Sequence, residues 1–255
     1  MIRGLVYLIF MFSSTSATTI DMEYCQKGDA KACYELGQIK ENKFSVPKER
    51  LKDAADYLEK SCSLGYAKAC EKLADFYKYP WGLEIDKKKS KELGLRAVKL
   101  YEASCEKEDA EACYGIGSMF YFFNDTVDQN LVAAFNYFAK GCDLGHYISC
   151  DFTAKMYEEG MGTKKNIQKA IEISKLSCED GYKSGCVRLA WHYYSGSKST
   201  KREHIKAANL IHSSCAIKEN EQDKVNCSEN MVKNIYKKAC KDGYTNACNW
   251  LEGFQ

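Results

Sequence analysis

The sequence predicts an all-α chain, a right-handed α-solenoid of antiparallel helix pairs stapled by local disulfides. Three observations carry that expectation. The fourteen cysteines fall in seven pairs: Cys25 with Cys33, Cys62 with Cys70, Cys105 with Cys113, Cys142 with Cys150, Cys178 with Cys186, Cys215 with Cys227 and Cys240 with Cys248. Successive first members lie 37, 43, 37, 36, 37 and 25 residues apart, and a period near 36 marks an array of one supersecondary unit. Between the pairs, apolar residues recur at helical spacing on two stretches per repeat.

Aligned on the second cysteine, the repeats define their first helix, A. Three residues on stand Leu36, Leu73, Ile116, Thr153 and Leu189; four on stand Gly37, Ala74, Gly117, Ala154 and Ala190; seven on stand Lys40, Tyr77, Phe120, Tyr157 and Tyr193. Offsets of 0, 3, 4 and 7 trace one helical face, and the small residue at four admits a closely packed neighbour. A second helix, B, precedes each first cysteine. Eight residues before it stand Ala54, Ala97, Ala134, Ala170 and Ala207, and four before it Leu58, Tyr101, Phe138, Ser174 and Ile211.

The cysteine pair joins helix B of one repeat to helix A of the next. Residues eight apart on a continuous helix are about 12 Å apart, whereas a disulfide needs Cα atoms within roughly 7 Å, so the chain must reverse between them. Gly28, Gly65, Gly145, Gly181 and Gly243, each three after a first cysteine, suit the left-handed residue that ends a helix. Glu108 stands in that place in the third turn, which is expected to be strained or differently shaped. Each bridge closes a loop of about nine residues, contributing roughly 2–3 kcal/mol in the chain-entropy model. Zinc would require closer cysteines or nearby histidines; the four histidines match no ligand spacing, and no cofactor or metal is expected.

Residues 1–17 read as a secretory signal peptide: Arg3, an apolar run from Leu5 to Phe12, then small residues to Ala17. The run is too short for an ordinary spanning helix, and nothing later is apolar enough for one. Fourteen cysteines, all pairable, fit an oxidising compartment, secreted or periplasmic. A formal charge of +2 argues against a general nucleic-acid binder. Residues 18–255 are expected to form a single disulfide-rich array with atypical caps. In the second repeat, extra residues are placed around Tyr79 to Gly82 and Asp86 to Lys89. A polar loop follows Ser195, and one helix is expected from about Val225 to Cys240, then a short one to Leu251.

Repeats shaped like Ala154-Lys-Met-Tyr-Glu-Glu-Gly-Met-Gly-Thr-Lys-Lys-Asn-Ile-Gln-Lys-Ala170 resemble SEL-1-like repeats, relatives of the tetratricopeptide repeat. With Cys-x7-Cys in each, the chain is similar to the Helicobacter cysteine-rich proteins from Cys25 to about Phe254. That resemblance implies a bacterial exported protein, and it implies penicillin binding and weak β-lactamase activity. The residues offer that chemistry no support. Three Ser-x-x-Lys spacings occur, Ser45 with Lys48, Ser104 with Lys107 and Ser195 with Lys198, but a chain this rich in both residues yields about as many by chance. The companion motifs Ser-Asp-Asn and Lys-Thr-Gly are absent. Catalytic residues therefore stay unassigned.

Binding has more to stand on. In tetratricopeptide-like arrays the A helices line the concave side. Positions one, five and eight after the second cysteine form a stripe beside the core face, mixing tyrosine, tryptophan and charge as peptide-binding surfaces do. Tyr34, Asp75, Tyr114, Tyr121, Lys155, Trp191 and Tyr194 are its candidates, with Trp81 on the insertion of the second repeat. The competing reading has Tyr114, Tyr121 and Tyr194 widen the core and Trp81 plug its own repeat. The expected function is an exported scaffold, a host-interaction factor among the options, that binds a peptide, protein or cell-wall-derived ligand. Peptide mapping without reduction should recover the seven pairs as given; a Cys215–Cys240 peptide would overturn the C-terminal assignment.

Overall fold

The computed structural model describes residues 21–39, 48–79, 84–122, 126–196, 203–216 and 227–253. The expected signal peptide, Trp81 and residues 197–200 lie outside them. Regular structure among the described residues is helical throughout. The first repeats hold α1 (21–26), α2 (Ala30–Ile39), α3 (Lys48–Ser63), α4 (Ala67–Lys78), α5 (Lys87–Glu106) and α6 (Ala110–Tyr121). After them come α7 (Leu131–Asp143), α8 (Tyr147–Glu159), α9 (Ile167–Glu179), α10 (Lys183–Ser195), α11 (His204–Ile211), α12 (Glu229–Lys241) and α13 (Thr245–Glu252).

Two compact units divide between Gln129 and Asn130. In the first, α2 packs on α3, α3 on α4, α4 on α5 and α5 on α6. In the second, the same neighbour-to-neighbour packing runs from α7 to α13. Helices that pack on their chain neighbours, repeat after repeat, are the hallmark of a solenoid array.

The close contacts are the ones the small residues dictate. Ala54, Ala97, Ala134, Ala170 and Ala207 are fully buried, as are Phe138 and Ile211 on the same face. At Gly37 an added Cβ would sit 2.8 Å from Leu58 Cγ, so α2 and α3 approach too closely for any side chain there. Two polar residues on these faces satisfy themselves within their own helix. Ser174 Oγ donates to the Ala170 carbonyl at 2.8 Å, and Thr153 Oγ1 to the Ser149 carbonyl at 2.7 Å. Burial without such a bond would cost each hydroxyl a few kcal/mol.

Every Cys-x7-Cys corner has one geometry. In the fourth, the Gly145 N–H donates to Cys142 O at 2.9 Å and the His146 N–H to Gly141 O at 2.9 Å, the paired bonds of a Schellman motif. His146 then caps α8 by accepting the Ser149 N–H, and Cys150 lies one turn on.

Six bridges span eight residues, with nearly constant Cα–Cα distances. Cys25 is bonded to Cys33 at 4.6 Å, Cys62 to Cys70 at 4.7 Å and Cys105 to Cys113 at 4.7 Å. In the second unit Cys142 is bonded to Cys150 at 4.5 Å, Cys178 to Cys186 at 4.5 Å and Cys240 to Cys248 at 4.9 Å. The seventh bridge, Cys215 to Cys227, spans twelve residues at 6.0 Å. Burial separates the two units. Cys33, Cys70 and Cys113 are fully enclosed, whereas Cys186 and Cys248 are half-buried.

Of the two expectations for the third turn, the structure has the strain and not the different shape: Glu108 adopts φ 65°, the left-handed conformation its glycine counterparts adopt, with the same two bonds. The part of the excess placed at Asp86 to Lys89 is the start of a helix. Asp86 caps α5 by accepting the Lys89 N–H, and the lysines are the first turn of a 20-residue helix, so the extra residues lengthen a helix. The helix expected from Val225 starts at Glu229, because Cys227 is still held by its bridge to Cys215. The predicted face was also too narrow. Phe76, Met119, Met156 and His192, all six after a second cysteine, are buried, because an A helix packed against neighbours on both sides buries more than one stripe.

Glu108→Gly should raise unfolding stability by about 1 kcal/mol, since the left-handed conformation costs a residue with Cβ roughly that much; chemical denaturation measures it. Ala134→Leu should lower stability by about 1–3 kcal/mol, because the contact has no room for three further carbons.

Candidate functional site

The stripe of positions one, five and eight is half-buried along most of its length, and in each unit part of it is locked into a polar and aromatic cluster. In the first unit, Tyr34 packs its ring 5.0 Å from Tyr66. Tyr101, 4% exposed, donates its hydroxyl to Glu71 at 2.7 Å. Lys68, beside both Tyr34 and Tyr66, pairs with Glu111 at 2.8 Å. Burial pushes the Glu71 carboxyl above the usual carboxylate range; Asp75 adds to the push, while Tyr101 and the two nearby lysines oppose it. Burial likewise holds the Tyr101 phenol well above its ordinary value, reinforced by Glu71. Asp75 and Tyr114 are half-buried on the same stripe. Tyr121, also half-buried, meets Phe122 edge-on at 4.9 Å.

In the second unit, the cluster ties α8 to α10. Arg188 reaches back to Asp151 at 3.3 Å and to Glu158 at 3.0 Å, and His192 Nε2 meets Glu158 Oε1 at 2.7 Å. His192 occupies the apolar sixth position, buried to 6% exposure, so its ring requires a polar partner. Glu158 supplies it. Burial alone would raise the Glu158 carboxyl, but the hydrogen bond to His192 and the charge of Arg188 outweigh it and hold the group below its usual range.

Trp191, 47% exposed, stands at position five of α10, next to this network in sequence. Its ring lies 5.7 Å from Tyr194, which in turn lies 5.7 Å from His204. Lys155 is half-buried. Sequence reasoning placed Trp191 and Tyr194 side by side but missed Arg188 and His192, which fall at positions two and six. A histidine among Phe76, Met119 and Met156 was the available signal.

The cysteines take no part in such chemistry, because all fourteen are consumed in bridges and none is left as a thiol. The second members that open the A helices, Cys33, Cys70, Cys113, Cys150 and Cys186, fix where each stripe begins. Cys248 does the same for the last helix, α13.

The Ser-x-x-Lys serines have ordinary structural roles where they are described. The Ser104 carbonyl accepts the Asp109 N–H in the corner after α5, and Ser195 Oγ donates to the Trp191 carbonyl at 2.8 Å. Ser45 and Lys198 lie outside the described residues. Among the described residues, no group of histidine, cysteine and carboxylate side chains is arranged to hold a metal ion, and no helix is long and apolar enough to cross a membrane.

Helix pairs in chain order, a disulfide at each corner and a half-buried polar-aromatic face define a disulfide-rich helical repeat protein of the kind that docks other proteins. A model of the Sel1 repeat matches residues 30–66, 67–109, 110–146, 149–182 and 183–216, and the chain belongs to the Sel1 repeat family. A Sel1 repeat protein from Oxalobacter formigenes shares the fold, with TM-score 0.62 and 17% identity over 90% of each chain. Helicobacter pylori cysteine rich protein B is 25% identical, with TM-score 0.40, over 52% of this chain and 93% of that one. Cytochrome c oxidase assembly factor 7 of Xenopus tropicalis is 24% identical over 162 residues, 62% of this chain and 68% of that protein.

The half-buried carboxylates Glu71 and Glu158 should titrate with opposite sign. Glu158, held low in the folded state, stabilises the fold above the ordinary carboxylate pKa, and that contribution fades as pH falls through the depressed folded value. Glu158→Gln should therefore cost about 1–3 kcal/mol near neutral pH, with the gap from the parent closing in acid. Glu71, raised in the folded state, costs stability as pH rises from the unfolded toward the folded value. Glu71→Gln keeps an acceptor for Tyr101 and should stabilise at neutral pH, again with no gap in acid. Melting temperatures between about pH 3 and 7 read both, since that window spans the ordinary carboxylate values.

Proposed function

We propose that this chain is an exported Sel1-repeat scaffold whose A-helix stripe binds an extended peptide segment of a partner protein. The observation that carries the proposal is the exposure of Trp191 beside a network that fixes its surroundings. Arg188, Asp151, Glu158 and His192 are joined by hydrogen bonds across two consecutive A helices, so little conformational freedom remains there to be lost on binding. A large exposed aromatic on such a platform has the composition of a binding hot spot. Tyr194 beside it and Lys155 on the preceding A helix belong to the same unit as Trp191; Tyr34, Asp75, Tyr114 and Tyr121 are the candidates of the first unit, taken by itself. Trp81 is the further candidate on the second repeat.

Seven disulfides suit an oxidising compartment, and the leader-like residues 1–17 support export, to the periplasm or exterior of a bacterium. The printed name of the relative at 24% identity, an assembly factor of cytochrome c oxidase, is in keeping with a docking role. Cell-wall fragments remain as alternative ligands of the same stripe, and β-lactam hydrolysis as the alternative activity.

The test is selection of a displayed random-peptide library on the oxidised protein, with selected peptides measured against variants. Trp191→Ala should weaken them about 30-fold or more, the effect of losing a hot spot of 2 kcal/mol, with the melting curve unchanged. Peptides that bind the variant equally well, or a variant that melts early, would sink the proposal. A chromogenic cephalosporin assayed in parallel tests hydrolysis: turnover abolished by alanine at Ser45, Ser104 or Ser195 would establish a serine enzyme instead.

A further inference from the structure

Beyond the last Sel1 match, which ends at residue 216, the repeat geometry gives way, and a cavity of about 420 Å³ opens there. Three departures coincide. A π-helical turn, His212–Ala216, continues α11 where the earlier B helices run regularly into their corners. The Cys215–Cys227 bridge spans twelve residues rather than eight. Two cap helices, α12 and α13, then supply the other walls. Such π turns occur disproportionately at functional sites, and the volume lies within the roughly 300–1,000 Å³ of small-ligand pockets.

The walls are apolar and largely aromatic: the Cys215–Cys227 bridge, Val232, the Tyr236 ring, and Trp250 stacked on His212 at 3.7 Å with 7° between planes. The wall is held in place. Tyr236, 1% exposed, meets His212 Nδ1 through its hydroxyl at 3.1 Å, and Trp250 also contacts Tyr236 at 5.3 Å and Tyr244 edge-on at 5.7 Å. Burial pushes the Tyr236 phenol up to about 12, so it keeps its proton at neutral pH.

The polar groups in this lining are few. His212 Nε2 has no hydrogen-bond partner among the described residues, although the ring is half-buried. Exposed Asn249 and Glu229 complete the polar lining, and Glu229 is ion-paired with Lys233 at 2.6 Å. Sulfur and ring edges favour an aromatic occupant over an aliphatic one. A carboxylate in the lining disfavours an anion, and its pairing with Lys233 removes the demand for a cation.

We propose that this cavity binds an uncharged aromatic ring carrying one N–H or O–H group, of the size of indole or a phenol. The ring arrives as a free small molecule or as a tryptophan or tyrosine side chain. His212 Nε2, Asn249 and Glu229 receive its polar edge, and the disulfide, Val232 and Trp250 enclose the rest. The site is independent of the A-helix stripe.

The experiment is an amide and indole N–H NMR titration of the oxidised full chain with indole, p-cresol and indole-3-acetate. N-acetyltryptophanamide is the fourth probe. Indole and p-cresol should shift the Trp250 indole N–H and the His212 amide saturably in the millimolar range, as so few atoms allow. Indole-3-acetate should bind at least tenfold more weakly. N-acetyltryptophanamide binding at least as well as indole identifies a side-chain ligand; its exclusion identifies a free one. Val232→Phe fills the cavity and should abolish the shifts. Gly253→Leu, at an exposed lining position where an added Cβ meets only ordinary contacts, should weaken binding about tenfold without touching the core. Trp191→Ala should leave it unchanged. The proposal is overturned by absent saturation at about 10 mM, by equal binding of indole-3-acetate, or by a folded Gly253→Leu protein that binds as the parent does.

Discussion

The corner between one helix pair and the next is the constraint on which the structure depends. In each eight-residue corner the first cysteine is the last but one residue of helix B, a left-handed residue follows at three, and the next residue is the N-cap of helix A. The second cysteine lies a further turn along. The two Schellman bonds satisfy carbonyls that the helix end would leave unpaired, and the reversal brings the cysteine Cα atoms to within 5 Å. Hydrogen bonding thus sets the geometry and the disulfide then secures it. Where the interval is eight, each A helix leaves its corner at the same point relative to the preceding B helix. That regularity is why the alanines eight residues before Cys62, Cys105, Cys142 and Cys178 meet a neighbour closely enough to be fully buried.

The fold was legible because the chain repeats itself. Five copies of one backbone act as an internal alignment, and requirements tied to backbone geometry stand out: cysteine at zero and eight, glycine at three, alanine at minus eight. Glu108 shows where that legibility ends. The sequence marks it as an exception, but the hydrogen bonds on either side fix the turn, so the backbone stays and the side chain bears the cost. The length of α5 was hidden for a different reason. The sequence places extra residues at Asp86 to Lys89 without saying what they form; the Asp86 side chain holds the Lys89 N–H and starts a helix.

The candidate site was legible only in outline. A stripe read from helical periodicity picks positions, and it correctly joins Trp191 to Tyr194. It cannot pick partners, because those are set by the lateral distance between successive A helices. Glu158 and His192 lie 34 residues apart in sequence, and Arg188 and Asp151 lie 37, about one repeat in each case. Tyr114, Tyr121 and Tyr194, read either as ligand contacts or as widening the core, are half-buried, an exposure that both readings share.

The second unit shows how a change in the core organises the surface. At the sixth position after the second cysteine, Phe76, Met119 and Met156 need no partner, and nothing outside the core answers to them. His192 needs one. Glu158 provides it and, as a largely buried carboxylate, needs compensation in turn. Arg188 gives that compensation and uses its remaining donors on Asp151. One polar side chain in an apolar position has therefore fixed three charged side chains on the face of two helices. Trp191, one residue before His192, is carried by that order while its own ring stays exposed. In a repeat array the backbone is common property, so individuality enters through such substitutions. Their consequences spread along the face as far as the chain of required partners extends.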